Sequence, residues 1–90
     1  MIDFTIKKVS ENSYHYNLTF FKEVHKRSGD IVKEPGNTLY TLPLYEIKNI
    51  IAHCEVANRL GDRNVSLREY LKEFYKVYNE VCKLLKKTLQ

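Results

Sequence analysis

The chain contains few of the residues that usually mark catalysis, metal binding or membrane insertion. Its 90 residues include three glycines, two prolines, two cysteines and no tryptophan. It has no glycine-rich phosphate loop and no HExxH, CxxC or GxSxG motif. It also has no apolar run long enough to predict a transmembrane helix. We therefore expect neither an enzyme nor a membrane protein, and no cofactor.

The two cysteines are too few for a disulfide framework. Cys54 and Cys82 are 28 positions apart in segments with helical periodicity, so we expect two reduced, buried side chains. The spacing of His53, Cys54 and Cys82 does not fit a zinc site, so no metal is expected. The N-terminal residues do not resemble a secretory signal, and this favours a cytoplasmic location.

The charge of the chain is mildly basic. Fifteen Lys and Arg against eleven Asp and Glu give a formal net charge of +4, less than is typical of strong nucleic-acid binders. Part of the excess lies at the C-terminal end, where cations suit the dipole of a helix. The glutamates of the two predicted helices are interspersed with lysines and are expected on solvated faces: Glu46, Glu55, Glu69, Glu73 and Glu80.

Residues 1–42 alternate between apolar and polar side chains, which predicts three β-strands. In the second strand Tyr14, Tyr16, Leu18 and Phe20 are expected on one face. Phe21 breaks the alternation, and a β-bulge or strong twist there would let both phenylalanine rings pack. The third strand is expected at 31–33 and 38–42, interrupted by "EPGN", and should therefore be an edge strand or contain a wide loop.

The periodicity becomes helical near Pro43. Leu44, Ile47, Ile51 and Cys54 predict an amphipathic helix with Pro43 in its first turn, and Gly61 is expected to end it. The segment "SLRE" at 66–69 is a capping box for a second helix. That helix carries a heptad-spaced apolar row: Leu67, Leu71, Phe74, Tyr78, Val81 and Leu85.

Strands followed by helices predict an α+β fold. We expect a single domain (1–90) with a small three-stranded antiparallel sheet (βββ, 1–42) and a two-helix hairpin (43–90) packed on one face. The apolar surface of the second helix is wider than one shorter helix can cover, which predicts a homodimer or higher homo-oligomer. The expected self-association residues are Tyr70, Phe74, Val77, Tyr78, Val81 and Leu84.

The segment "HKRSGD" at 25–30 has two interpretations. It has the composition of a tight turn, and it places three basic-capable side chains at an exposed tip. Tyrosine is common in this chain and is enriched at protein interfaces. Strand tyrosines and the basic tip together give the expected partner-binding residues: Tyr14, Tyr16, His25, Lys26, Arg27 and Tyr40. The alternative is nucleic-acid binding through Lys26, Arg27, Lys33, Lys83, Lys86 and Lys87, although Glu23, Asp30 and Glu34 dilute the charge near the tip.

Three segments together resemble a class of small bacteriophage and prophage accessory proteins: "YNLTFFKEVHKRSGDIV", "YTLPLYEIKNIIAH" and "VSLREYLKEFYKVYNEVCKLL". The resemblance covers roughly residues 14–85, and the "VKEPGNTLYTLPL" segment departs from it. It implies an accessory role in the cytosol of an infected bacterium, in which the protein binds and inhibits a host or defence protein, such as CRISPR-Cas machinery, by steric occlusion. The class has no defined site, so no functional residue is carried over from it.

Overall fold

A computed structural model describes residues 1–89 and has the α+β order that the sequence predicts. Three strands are followed by two helices: β1 (Phe4–Lys8), β2 (His15–His25), β3 (Ile31–Pro43), α1 (Leu44–Leu60) and α2 (Leu67–Thr88). The chain divides into two compact units, the first ending at Leu44 and the second beginning at Tyr45. The first unit holds the sheet, and the second holds the helices.

The three strands form an antiparallel sheet in the order β1-β2-β3, so β2 is central. Leu18 of β2 lies opposite Ile6 of β1 and opposite Leu39 of β3, and it is fully buried. Side chains two residues apart on a strand share a face. Tyr16 and Phe20 therefore lie on the same face as Leu18.

The third strand is continuous through "EPGN", which corrects the predicted interruption, and it is an edge strand as expected. Two register shifts accommodate the irregular residues. From Thr19 to Phe21 the partner moves from Thr38 to Pro35, so β3 holds one extra residue there. Gly36 lies in this bulge, and a Cβ at that position would come within 3.2 Å of the Phe20 carbonyl oxygen.

The second bulge of β3 lies beside Asn17. Thr41 has a left-handed φ of 58°, and its backbone N–H donates to Asn17 Oδ1 at 3.0 Å. A bulge therefore does lie beside Phe21, as one of the two predicted alternatives had it, but its extra residue is in β3 and not in β2. The pairing of β2 with β1 is regular, so Phe20 and Phe21 lie on opposite faces of the sheet.

The first helix buries Ile47 and Ile51 of the expected row, but Glu55 takes the place expected of Cys54. Ile47, Ile51 and Glu55 are spaced by four residues and are all buried, with Ala52 and Val56 beside them. Cys54, predicted to be buried, is exposed, and Glu55, predicted to be solvated, is only 2% exposed. After Ile51 the buried face of the helix is therefore offset by one residue from the predicted row, which ended at Cys54.

The ends of the first helix follow ordinary capping rules. Gly61 has φ 59°, and its N–H donates to the Ala57 carbonyl oxygen at 3.0 Å, as an αL C-terminal cap requires. Pro43 is the last residue of β3 and immediately precedes the helix, so its predicted place in the first turn is wrong by one position.

The second helix begins at the predicted cap. Ser66 has an extended backbone, and its Oγ accepts a hydrogen bond from the Glu69 N–H at 3.2 Å. Val77, Val81 and Leu85 are almost fully buried, but Leu67 and Leu71 of the predicted heptad row are 73% and 40% exposed. The buried positions of α2 therefore begin only at Val77, the eleventh of its 22 residues.

We expect Ser66→Ala to lower the free energy of unfolding by about 1 kcal/mol, because the substitution leaves the Glu69 N–H without its capping oxygen. Urea unfolding followed by circular dichroism would measure the change. Ser10→Ala, at an exposed position outside the helices, is the control and should be close to neutral. An equal effect of both substitutions would contradict the capping role.

Candidate interaction surfaces

The hairpin tip between β2 and β3 is a hydrogen-bonded turn. The Lys26 N–H donates to the Asp30 carbonyl oxygen and the Gly29 N–H to the Lys26 carbonyl oxygen, both at 2.9 Å. Gly29 has φ 89°, a conformation that favours glycine, and Ser28 Oγ donates to Asp30 Oδ2 at 3.1 Å. The turn leaves the side chains of His25, Lys26 and Arg27 exposed.

The three tyrosines predicted to bind a partner in the sheet unit differ in accessibility. Tyr14 is 86% exposed and precedes β2, while Tyr40 is 70% exposed within β3. Tyr16 is half-buried and shares the face of fully buried Leu18. Tyr14 and Tyr40 are thus available to a partner, while Tyr16 lies largely among the residues of its own chain.

Lys33, one of the predicted nucleic-acid contacts, already has an anionic partner. Its ammonium group forms an ion pair with Asp3, and this hydrogen bond raises the pKa of Lys33. Both side chains stay about half exposed. They line an open depression of about 310 Å³ together with Phe4, Thr5 and Phe21. The ion pair makes Lys33 a weaker candidate for phosphate binding than Lys26 or Arg27.

The helical unit uses most of the predicted self-association residues for its own packing. Val77 and Val81 are fully buried, so they offer no surface to a second copy. Tyr70 Oη lies 2.9 Å from His53 Nδ1 and is hydrogen-bonded to it. The ring of Phe74 lies 4.4 Å from the ring of His53, between centroids, and 5.9 Å from that of Tyr78.

Two further predicted self-association residues remain at least partly accessible. Tyr78 is half-buried. Burial is the main cause that raises the pKa of its hydroxyl, and the neighbouring Cys82 acts in the same direction. Leu84 is 38% exposed. Of the predicted set, Val77 and Val81 are thus unavailable to other molecules, while Tyr70, Phe74, Tyr78 and Leu84 keep partial exposure. His53, which joins α1 to Tyr70 and Phe74, was not foreseen as a packing residue.

Arg59 of α1 holds three carboxylates, and sequence reasoning missed this group. Its guanidinium nitrogens lie 3.4 Å from Glu55 Oε1, 3.5 Å from Glu73 Oε1 and 2.7 Å from Glu80 Oε2. The Glu55 side chain is 3% exposed. The i, i+4 spacing of Glu55 and Arg59 was the available signal, but Glu73 and Glu80 join the pair only through the packing of α2 on α1.

The Arg59 ion pair should make stability depend on pH. Its hydrogen bond to Glu80 lowers the pKa of that carboxyl from its ordinary value of about 4.5. A lowered folded-state pKa gives stabilisation that is complete above the unfolded value and is lost as the pH falls through the folded value. We therefore expect the urea midpoint of the wild type to fall more steeply below about pH 4.5 than that of Glu80→Gln.

The matched control for this pH profile is Glu69→Gln. Glu69 is exposed on the same helix and lies outside the three carboxylates that Arg59 holds. Its profile should follow the wild type. Parallel profiles for the wild type and Glu80→Gln would contradict the role of the Arg59–Glu80 pair.

The outward side of α2 carries two parallel rows of exposed side chains. Leu67, Leu71 and Tyr75, spaced by four residues, are 73%, 40% and 62% exposed and form the apolar row. Each is followed directly by a cation, and the cations extend to the C-terminal end of the helix. We call the two rows together the α2 outer face: Leu67, Leu71 and Tyr75 with the exposed cations Arg68, Lys72, Lys76, Lys83, Lys86 and Lys87.

Residues 1–89 contain neither a metal-binding cluster nor a membrane-spanning helix. In this part of the chain no three His, Cys, Asp or Glu side chains are grouped so that they could hold a metal ion. Neither helix, over the same residues, has an apolar stretch of the length that crosses a bilayer. Both cysteines are free thiols, and burial raises the pKa of Cys54.

The protein is thus an α+β chain in which a three-stranded antiparallel sheet precedes two helices. No family model matches the sequence, and neither the curated proteins nor the solved structures compared with the chain match it. The likeness to phage accessory proteins therefore stays a prediction from the quoted segments.

Proposed function

We propose that this protein is a non-enzymatic interaction protein that binds another protein and blocks it by steric occlusion. The observation that carries the proposal is the exposed apolar row of α2, where Leu67, Leu71 and Tyr75 lie in line on the surface. Single exposed apolar residues are common on proteins, but a contiguous exposed patch is typical of an interaction site. Tyr14 and Tyr40 add exposed aromatic surface on the sheet unit.

The kind of partner follows from the sequence resemblance. Small phage accessory proteins act inside a bacterium, so we propose a host or defence protein as the target. A short chain of this kind would inhibit such a target by covering a surface that the target needs. Inhibition would then be stoichiometric, because each bound copy of the protein blocks its target without turnover.

Affinity capture from a bacterial lysate tests this proposal. The tagged wild type should retain one partner in stoichiometric amount. Leu71→Ser/Tyr75→Ser and Tyr14→Ser/Tyr40→Ser remove exposed apolar surface from the helical and sheet units separately, and at least one of them should lose the partner. Retention of no stoichiometric protein by the wild type, or full retention of the partner by both variants, would overturn the proposal.

Nucleic-acid binding is the second candidate, favoured by the six cations of the α2 outer face. Contacts with phosphates make affinity fall steeply with salt. An electrophoretic shift of duplex DNA or RNA at micromolar protein, lost at higher salt and in Lys72→Glu/Lys83→Glu, would support this candidate. Absence of a shift at low salt would remove it.

A further inference from the structure

We infer that the α2 outer face binds an acidic amphipathic helix of a partner protein. The inference rests on the proposed function and specifies the chemistry of its partner. It goes beyond that proposal because it assigns the binding to one face of one helix.

The geometry suits a rod-shaped partner lying along α2. The apolar row repeats every four residues, which on an α-helix keeps its members on one side. The cations from Arg68 to Lys87 extend over about 29 Å at 1.5 Å per residue. A helix laid along this face would find apolar anchors beside a line of positive charge, the pattern of helix recognition by an apolar surface.

The charge of the face is not neutralised by α2 itself. The helix has three acidic residues, and two of them, Glu73 and Glu80, are held by Arg59 of α1. Lys76 still acts electrostatically on Glu80. Glu69 is therefore the remaining carboxylate of α2 that can offset the six cations of the outer face. This excess of positive charge favours an acidic partner.

The same charge argues against a second copy as the occupant. In a two-fold symmetric pair the same surface patch faces itself. Two outer faces brought together would oppose their cation rows, and like charges placed against each other are destabilising. Self-association through this face should therefore be suppressed at low salt.

Nucleic acid and lipid fit only part of the face. A phosphate backbone would engage the cations but would leave Leu67 and Leu71 without an apolar partner. A helix lying on a lipid surface usually places its apolar face downward with cations beside it. Here the cations lie on one side of the apolar row, and the apolar residues on its other side, Val77, Val81 and Leu85, are buried within the protein. Only the short exposed row would therefore remain for a lipid.

The experiment uses fluorescence anisotropy with synthetic labelled helices. The probe is a peptide of about five turns with leucines at i, i+4 and i+7 spacing and glutamates elsewhere. Its counterpart keeps the leucines and replaces every glutamate with lysine. We expect micromolar binding of the acidic probe by the full chain, and binding of the lysine counterpart weaker by about tenfold or more.

Each row of the face is tested by one double variant. Lys72→Glu/Lys83→Glu should weaken the acidic probe by about tenfold or more, and Leu71→Ser/Tyr75→Ser should do the same through loss of the anchors. Lys26→Glu/Arg27→Glu makes the same charge change at the hairpin tip of the sheet unit and should bind the probe like the wild type. Circular dichroism spectra identical to the wild type would show that each variant is folded.

The outcomes separate this inference from the proposed function. Equal binding of the acidic probe by the wild type and by both α2 variants would overturn the inference, as would absence of binding. Tighter binding of duplex DNA, or of vesicles containing phosphatidylserine, through Lys72 and Lys83 would also overturn it. A captured partner that is lost only in Tyr14→Ser/Tyr40→Ser would overturn the inference and leave the proposed function standing.

Discussion

Replacing Arg59 with methionine is expected to lower the free energy of unfolding by about 2–3 kcal/mol. Arg59 is the shared cation of Glu55, Glu73 and Glu80. Its removal leaves the Glu55 carboxylate, 3% exposed, without this counter-charge and leaves two further carboxylates close by. The effect should exceed that of a surface ion pair, which contributes at most about 1 kcal/mol, because one member of the group is buried.

Urea unfolding would measure the change, with Arg68→Met as the matched control. Arg68 is exposed on α2, so the same substitution there should change stability by less than about 0.5 kcal/mol. Adding Glu55→Gln to Arg59→Met should recover part of the loss, because it removes the buried charge as well. A loss that is the same at positions 59 and 68, with no recovery in the double variant, would contradict this account of the network.

Leu18→Ala is expected to have an effect of similar or larger size, about 3 kcal/mol. Leu18 is fully buried in the central strand, so the substitution removes apolar contacts and leaves a cavity. Leu39 provides an unusually close control, because it is the β3 partner of Leu18 in the register of the sheet and is 38% exposed. Leu39→Ala should lower stability by only about 1 kcal/mol.

Chemical denaturation of the two alanine variants would test the difference. Both substitutions remove the same side-chain atoms from a strand residue, so the difference between them reports mainly how deeply each leucine is buried. A Leu39→Ala loss as large as that of Leu18→Ala would show that the two members of this cross-strand pair are equally packed. That result would contradict the buried position of Leu18.

The parts of the fold that were predicted correctly are those that depend on neighbours in sequence. The Ser66 cap joins atoms three residues apart, and the Gly61 cap joins atoms four residues apart. The order of three strands and two helices follows from the change of periodicity near Pro43. In each case the relevant residues lie within one turn or one strand, so the local pattern contains the necessary information.

The candidate site was predicted less well, because a pattern of spacing does not tell which neighbour covers a residue. Leu71 and Val81 both belong to the predicted heptad row, yet Leu71 is 40% exposed and Val81 is fully buried. Tyr70 and Phe74 were expected to face a second copy, but His53 of α1 lies against both. Lys83, Lys86 and Lys87 were predicted as nucleic-acid contacts in the alternative interpretation. Leu67 and Leu71, in contrast, were assigned to the heptad-spaced apolar row, which was expected to be covered.

Two charged groups illustrate the same limit. Lys33 was predicted to be free for nucleic acid, and Asp3, thirty residues away in sequence, pairs with it across the sheet. Glu55 was predicted to be solvated, and it lies buried beside Arg59. The Lys33–Asp3 pair joins segments that meet only after folding. Glu55 and Arg59 are neighbours on one helix, and it is the packing of that helix that buries Glu55.

The sequence by itself determined the α+β order, the positions of the helix caps, the hairpin turn at "HKRSGD" and the edge position of β3. These features depend on backbone preferences and on hydrogen bonds between near neighbours. Tertiary structure alone decided that the extra residues of β3 form two bulges, that Arg59 collects three carboxylates, and that Leu67, Leu71 and Tyr75 remain on the surface. Those outcomes depend on which surfaces meet when distant segments pack, and spacing along one element does not specify that.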